Sequence, residues 1–462
     1  MLIKKPTKIV NNFNLAILSL NLFWLMALYP ARLGADSSAL LQMIRDGKST
    51  DWWTGVFYWF LRITSINGDY PQLTSAIQLT VLTCSVMFFL NSLPILQKTK
   101  NVIALIFFAT PIHGFFAMSI SHDLTQTAGV VLLVSIELRN LQNKKILNFP
   151  LILLIASLLL LTTHTGIVLV FLALARNYRK LNWKWLFTLA LISALIATFS
   201  STGLSKGLNV HGNYLKTSNI KFNWMLAGLK CVAQHPEADL SIEDWGVLKK
   251  IANEENWKVA VSCHNYDEQL GTLDLSRSGY QLGSQEFFET YISITAKNPA
   301  VVAMSHIQRA RGALPPLLFQ PPDNQVPLDV SIPVGQGTNT ALQTGPELLH
   351  PSNDLSGEEN NKPTIFSILE IPAQGAAFVF NQASWFWGWG GLWLSVYFIL
   401  LIVLLKGVKV WKILLSTSPL ITIHLLLLIA IPTSLPRYYM FSTILGLLLS
   451  LITISNAILK RK

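Results

Sequence analysis

Six residues of this chain carry side chains able to move protons or hold an anion, and each stands beside a long apolar run: Asp36, Asp51, His122, Asp123, His164 and Arg437. A carboxylate can accept the proton of an attacking hydroxyl, and a histidine can donate or orient protons near neutral pH. Arg437, in the stretch Pro436-Arg437-Tyr438-Tyr439, can pair bidentately with a phosphate. Each also has a plainer role. Asp36 or Ser37 can cap a helix, Asp123 can cap another, Arg437 can anchor at lipid headgroups, and His164 can be a satisfied polar group at a helix break. The chemistry therefore depends on whether the fold gathers residues that lie between positions 36 and 437.

The elements that must position them are set by composition. The chain has 462 residues, 51% hydrophobic and 13% charged, with a mean hydropathy of +0.44. Several apolar runs approach the roughly 20 residues that cross a bilayer. The expected class is an all-α polytopic membrane protein. Spans are expected at about 13–30, 73–96, 102–120, 124–138, 148–162, 165–175, 185–201, 385–405, 413–431 and 438–458, about ten in all. The polar stretch Thr162-Thr163-His164-Thr165-Gly166 splits the run from Leu147 to Ala175 into two short helices. His113 and His424 fall inside spans and read as packing or helix-bonding residues.

Charge distribution tests this arrangement. The net charge of +11 is not spread evenly: residues 202–382 hold 12 of the 35 Lys/Arg but 18 of the 24 Asp/Glu. The basic excess thus belongs to the membrane part and does not indicate nucleic acid. Alternate loops collect Lys4, Lys5, Lys8, Lys98, Lys100, Arg139, Lys144, Lys145, Arg176, Lys406, Lys409 and Lys412, as cytoplasmic segments do. Both termini are expected in the cytoplasm. Asp36, Asp51, His122, Asp123, His164 and Arg437 then share the opposite side. A signal peptide is the competing reading of the first run, but Leu33-Gly34-Ala35 is a poor cleavage site.

Three regions follow: an N-terminal transmembrane module, 1–201, with its first outward loop at 31–72; an extracytoplasmic, mainly helical domain and linker, 202–382; and a C-terminal transmembrane module, 383–462. In the first loop, a helix is expected from Asp36 or Ser37 to Gly47, and a second from about Trp52 to Ile63, rich in aromatics suited to the headgroup level. In the outer domain, helices are expected at Ser241 to Asn256, Gln285 to Lys297 and Pro299 to Arg309. Cys231 and Cys263 share that domain and can form a disulfide, while Cys84 lies in a span. The chain has no C-x-x-C or zinc-type spacing.

A family resemblance adds to this. The first span ends in Tyr29-Pro30, the outward loop carries Asp36-Ser37 and then Asp51 before an aromatic helix, Ser121-His122-Asp123 stands between two spans, and the last span opens with Arg437-Tyr438-Tyr439. With Glu243-Asp244-Trp245, Trp257 to Cys263 and Lys297-Asn298-Pro299 in the outer domain, these resemble the GT-C class of membrane glycosyltransferases, in particular bacterial members. The chain departs from the D-x-H-P-like pattern at Asp51-Trp52-Trp53-Thr54, and Leu435-Pro436 stands where an acidic residue commonly precedes R-Y.

The resemblance implies an inverting transfer of a sugar from a polyprenyl-phosphate donor to a glycan, lipid or protein acceptor at the cell membrane. Asp36 would be the base, His122 and Asp123 would orient the sugar, and Arg437 with Arg32 would hold the donor phosphate. Asp51, His164 and Tyr438 would complete substrate binding. No cofactor is implied, and with no D-x-D in the first loop no metal is expected. The partners would be membrane lipids, the lipid-linked donor and the acceptor. A lipid or glycan transporter, a glycan polymerase or ligase, and a non-catalytic scaffold of envelope assembly are the rival classes.

Overall fold

A computed structural model describes residues 8–29, 31–33, 35–47, 49–50, 54–146, 148–177, 214–215, 222–261, 263, 272–273, 282, 284–310, 332–333, 364–381, 386, 389–430 and 439–460. These residues are mostly helical. Two helices are long and apolar enough to cross a membrane, Pro71–Ser92 and Met440–Ala457, and the number rises to four if two bent pairs each count as one span.

The first nine helices are α1 (Lys8–Ala27), α2 (Ala35–Arg45), α3 (Gly55–Thr64), α4 (Pro71–Ser92), α5 (Gln97–Phe108), α6 (Pro111–Met118), α7 (His122–Leu141), α8 (Phe149–Leu160) and α9 (Gly166–Asn177). Local chemistry sets several of their ends. Proline opens α4 and α6, where its missing N–H costs nothing. Thr54 caps α3 by accepting from Phe57 N at 3.3 Å, so that helix starts at Gly55 and not near Trp52. Asp36 and Ser37 lie within the first turn of α2 instead of capping it, because the helix already begins at Ala35. Gly47 leaves that helix with φ +66°, as its glycine suggested.

The expected span at 102–120 is two helices, α5 and α6, bent by 62°. Pro111 removes one amide donor at the break. The Thr110 hydroxyl donates to Phe107 O at 2.7 Å, and Trp24 Nε1 donates to Phe108 O at 2.8 Å, so both carbonyls at the bend are satisfied. Helix α7 is buried on every side from Asp123 to Leu138. It packs against α4 and α8, and it is the axis of the bundle. The stretch 148–175 does form two helices, α8 and α9, joined through Leu161–Thr165.

Further along come α10 (Asn223–Ala233), α11 (Ile242–Ile251), α12 (Glu254–Lys258), α13 (Gln285–Lys297) and α14 (Pro299–Ala310). They share a separate core built on Leu226, Leu248, Trp257, Phe287 and Ile294. The helix expected over Ser241 to Asn256 breaks at Ala252, whose extended backbone separates α11 from α12. Cys231 and Cys263 are joined by a disulfide. Lys230 is fully buried, yet its Nζ donates to Asn256 O, Trp257 O and Val259 O at 2.6, 2.8 and 2.7 Å, tying α10 to the end of α12. Burial pushes this ammonium down to about 8.

The C-terminal part holds α15 (Thr364–Asn381), α16 (Gly390–Leu404), α17 (Val410–Ser416), α18 (Ser418–Ala430) and α19 (Met440–Lys460). The sequence places residues 364–381 in the outer region and its linker. Helix α15 instead packs on α1 and α6, with Leu369 and Ala373 in the bundle core, because its apolar face matches theirs. The expected span at 413–431 is bent by 61° between α17 and α18. Helices α16 and α19 approach closely: a Cβ on Gly390 would fall 2.3 Å from Tyr439, and one on Gly446 would fall 2.7 Å from Trp393 O. His113 and His424 are indeed buried helix-bonding residues, His113 Nε2 lying 3.1 Å from Asn21 Oδ1 and His424 Nε2 2.5 Å from Ser442 Oγ. The expected span at 185–201 lies outside the described residues.

Two short sheets complete the description, and the first bears on the site. Strands β1 (Arg32–Leu33), β3 (Ser119–Ile120) and β5 (Ile332–Pro333) form a sheet in the order β3-β1-β5, while β2 (Ser49–Thr50) pairs with β4 (Tyr214–Leu215).

Candidate active site

The first loop is fastened to the start of α7 by successive contacts. Parallel pairing of β1 with β3 sets Arg32 opposite Ser119 and Leu33 opposite Ile120. The Ser37 hydroxyl donates to Ile120 O, so the first turn of α2 lies against the turn that leads into α7. Leu40, Leu41, Ile44, Phe57, Leu61 and Ile120 form one small core that holds α2 and α3 in place. Phe57 meets the His122 ring edge-on, with centroids 5.5 Å apart.

Asp123 and His122 open α7. Ser121, not Asp123, is the N-cap: its Oγ accepts from Asp123 N at 3.0 Å and donates to Asp123 Oδ2 at 3.2 Å. His122 Nε2 lies 3.4 Å from the other carboxylate oxygen, Asp123 Oδ1. The carboxylate is buried and the imidazole is partly exposed. A buried carboxylate that orients a reachable imidazole is a unit able to take up or deliver a proton. The negative charge also sits at the end of the helix where the backbone dipole favours it.

The break between α8 and α9 closes the arrangement from the other side. Thr125 and Thr162 share a hydrogen bond at 2.7 Å, and Gln126 Nε2 donates to Thr165 Oγ1 at 2.7 Å. Thr54 Oγ1 donates to Thr162 O at 2.9 Å, joining the cap of α3 to the same break. From α4, Gln78 Nε2 donates to Ser121 O at 2.8 Å. His164 is exposed in the turn whose threonines make these bonds.

The structure therefore brings together His122, Asp123, the turn bearing His164, the backbone of Arg32 and the first turn of α2, where Asp36 lies. The side chains of Arg32 and Asp36 lie outside what is described, as do residues Asp51, Arg437 and Tyr438. Among the described residues, no group of three or more His, Cys, Asp or Glu is placed to hold a metal.

Several contributors carry no signal in the sequence. Thr54, Phe57, Gln78, Thr125 and Gln126 looked like ordinary helix residues, and only the polar run at 162–165 signalled a site boundary. At the opposite end of α7, buried Glu137 pairs with Arg176 at 2.8 Å and accepts from Asn177 Nδ2 at 3.1 Å. Arg176 also reaches Leu415 O and Ser418 Oγ at the bend between α17 and α18. That pairing joins positions 39 residues apart, which no local pattern reveals. Comparison with known protein families, curated proteins and solved structures finds no match to this chain.

Proposed function

We propose that this chain is a membrane glycosyltransferase of GT-C type, which moves a sugar from a polyprenyl-phosphate donor to an extracytoplasmic glycan, lipid or protein acceptor. In this reading about ten spans place both termini in the cytoplasm and the 202–382 region outside. The observation that carries it is the fastening of the first loop, through β1, Ser37 and Thr54, onto the His122–Asp123 turn and the 161–165 break. An acid–base pair, a loop bearing a further carboxylate and a partly exposed face meet at one end of an apolar bundle. That is what attack by a hydroxyl on a lipid-borne substrate requires.

In the proposed reaction the acceptor hydroxyl loses its proton to the Asp36 carboxylate as its oxygen bonds to the anomeric carbon. The bond from that carbon to the phosphate oxygen breaks with inversion, and polyprenyl phosphate leaves. Arg437, aided by Arg32, receives the charge on the departing phosphate. His122, held by Asp123, orients the sugar, with Asp51, His164 and Tyr438 completing the substrate contacts. The donor brings its own leaving group, so the reaction draws on no resident cofactor.

The test is transfer from a panel of radiolabelled polyprenyl-phosphate sugars in proteoliposomes, comparing wild type with Asp36→Asn and Asp123→Asn. Turnover by wild type that both substitutions abolish, with folding intact, supports the assignment. Absence of donor consumption across the panel removes it in favour of lipid transport or scaffolding.

A further inference from the structure

The end of α7 remote from His122 carries a second cluster of charge. A 20-residue helix is about 30 Å long, so this cluster lies across the bundle from the candidate active site. Lys100, in the first turns of α5, is only 9% exposed. No described acceptor takes a hydrogen bond from its ammonium, which faces the like charges of Lys144 and Arg139. The Arg139 guanidinium is fixed by packing over Phe88 at 4.3 Å and by donating Nε to Ser92 Oγ at 3.2 Å. Lys144 Nζ reaches Ser92 O at 3.4 Å, a carbonyl already engaged by Gln142 at 2.8 Å.

The carbonyl end of α4 explains part of this. A helix C-terminus attracts cations, and Arg139 and Lys144 meet that need. It does not explain Lys100. Burying an ammonium without a partner is costly, and setting it against two further cations raises the cost. Among the described residues no carboxylate pairs with Lys100, Arg139 or Lys144, and Glu137 on the same helix is committed to Arg176. Beside Lys100, the Thr99 hydroxyl is also buried and unpartnered. Among the described residues, then, the ammonium of Lys100 and the hydroxyl of Thr99 are left without an answering group.

We propose that Lys100, Arg139 and Lys144 form a binding site for a phosphate group, between α4, α5 and the end of α7. Arg139 has its Nη donors left for phosphate oxygens, Lys100 supplies a buried charge, and exposed Lys144 closes the open side. A basic pocket between helices at the cytoplasmic end of a membrane bundle suits the headgroup of an anionic phospholipid, and the same donors would accept free phosphate. Placement at the inner leaflet rests on the topology proposed above, whereas phosphate binding is independent of sugar transfer.

The test uses the full-length protein in neutral detergent, titrated with dioleoyl phosphatidylglycerol, dioleoyl phosphatidylcholine or inorganic phosphate, and read by thermal shift and by native mass spectrometry of retained lipid. Phosphatidylglycerol should stabilise the wild type, and Lys100→Met or Arg139→Gln should each weaken its binding by about fivefold, the weight of about one cation at an anionic lipid surface. Stabilisation by phosphatidylglycerol alone identifies the lipid headgroup; equal stabilisation by inorganic phosphate, with the same loss in the variants, identifies the free anion. If Lys100→Met fails to fold, Arg139→Gln with Lys144→Gln gives the same comparison at more exposed positions. The proposal is overturned if phosphatidylcholine binds as well as phosphatidylglycerol. It is equally overturned if Lys406→Gln with Lys412→Gln, exposed lysines just after α16 and in the first turn of α17, weakens binding as much as Lys100→Met does.

Discussion

Arg176 Nη2 lies 2.8 Å from Glu137 Oε2, an ion pair that joins the buried axis of the bundle to the helix that follows the 161–165 break. The carboxylate is buried, whereas the guanidinium keeps about a quarter of its surface in contact with the surroundings. Removing the carboxylate leaves the partly buried guanidinium without its counter-charge, although Leu415 O and Ser418 Oγ still accept from it. Glu137→Gln should therefore cost about 1–3 kcal/mol. The double replacement Glu137→Leu with Arg176→Met should recover most of that loss. A double-mutant cycle on thermal unfolding in detergent checks this; equal losses in the single and double variants would show that the pair is not what holds the two helices.

Thr54 serves two elements at once, capping α3 and donating to the Thr162 carbonyl. Thr54→Val removes both bonds and should lower stability by about 1–3 kcal/mol, whereas Thr54→Ser should retain nearly all of it. Because the same bond fastens the first loop to the break, Thr54→Val should also raise hydrogen exchange in residues 35–64. Unchanged exchange there would separate the cap from the fastening.

Asp123 holds His122 from a buried position, so the proposed transferase should be sensitive to the pair and not only to the imidazole. His122→Ala and Asp123→Asn should each lower kcat by about a hundredfold or more. The double variant should be little worse than either alone, since residues acting as one unit are non-additive. Additive losses measured under saturating donor would mean that the two act separately.

Acid should loosen the 222–310 domain through Asp244. Burial pushes this carboxyl up, but hydrogen bonds from Lys297, Ser241 and Ser293 outweigh it and hold the group below the ordinary carboxylate range. A lowered folded value means that the unfolded chain binds the proton more readily. The stabilisation is therefore complete above the ordinary aspartate value of about 4 and is lost as pH falls through the folded value. Hydrogen exchange of α11 and α13 between pH 6 and about 3 should show that loss, and Asp244→Asn should remove most of the pH dependence.

Much of the helical layout was legible because apolar run length is a direct physical signal. The cores of α1, α4, α8, α9, α16 and α19 fall where long hydrophobic stretches predicted them. The bends at Thr110 and Thr417 were not legible, since a run through Pro111 or Pro419 reads as continuous when only hydropathy is counted. The packing of helix α15 on the bundle was not legible for a related reason: it follows a long polar stretch, and its burial depends on a face of α1 distant in sequence. At the site, His122 and Asp123 were visible as residue types. The hydroxyls of Thr54, Thr125 and Thr162 were not, because a threonine in a helix looks alike whether it bonds its own turn or a neighbour. The role of Ser121 as the cap was likewise hidden one residue before the more conspicuous acid.

Helix α7 bears on how the protein is made as well as on how it works. It carries Asp123 and Glu137, is enclosed by neighbours along its length, and is not among the helices apolar enough to cross a membrane alone. A segment of this kind gains little from lipid and much from its partners, so its entry during synthesis should be cooperative, waiting on α4 before it and α8 after it. Truncating a nascent chain before α8 should leave α7 outside the bilayer, whereas extending it through α9 should draw the helix in. The residues of the candidate site would then be assembled only as the bundle closes around its axis.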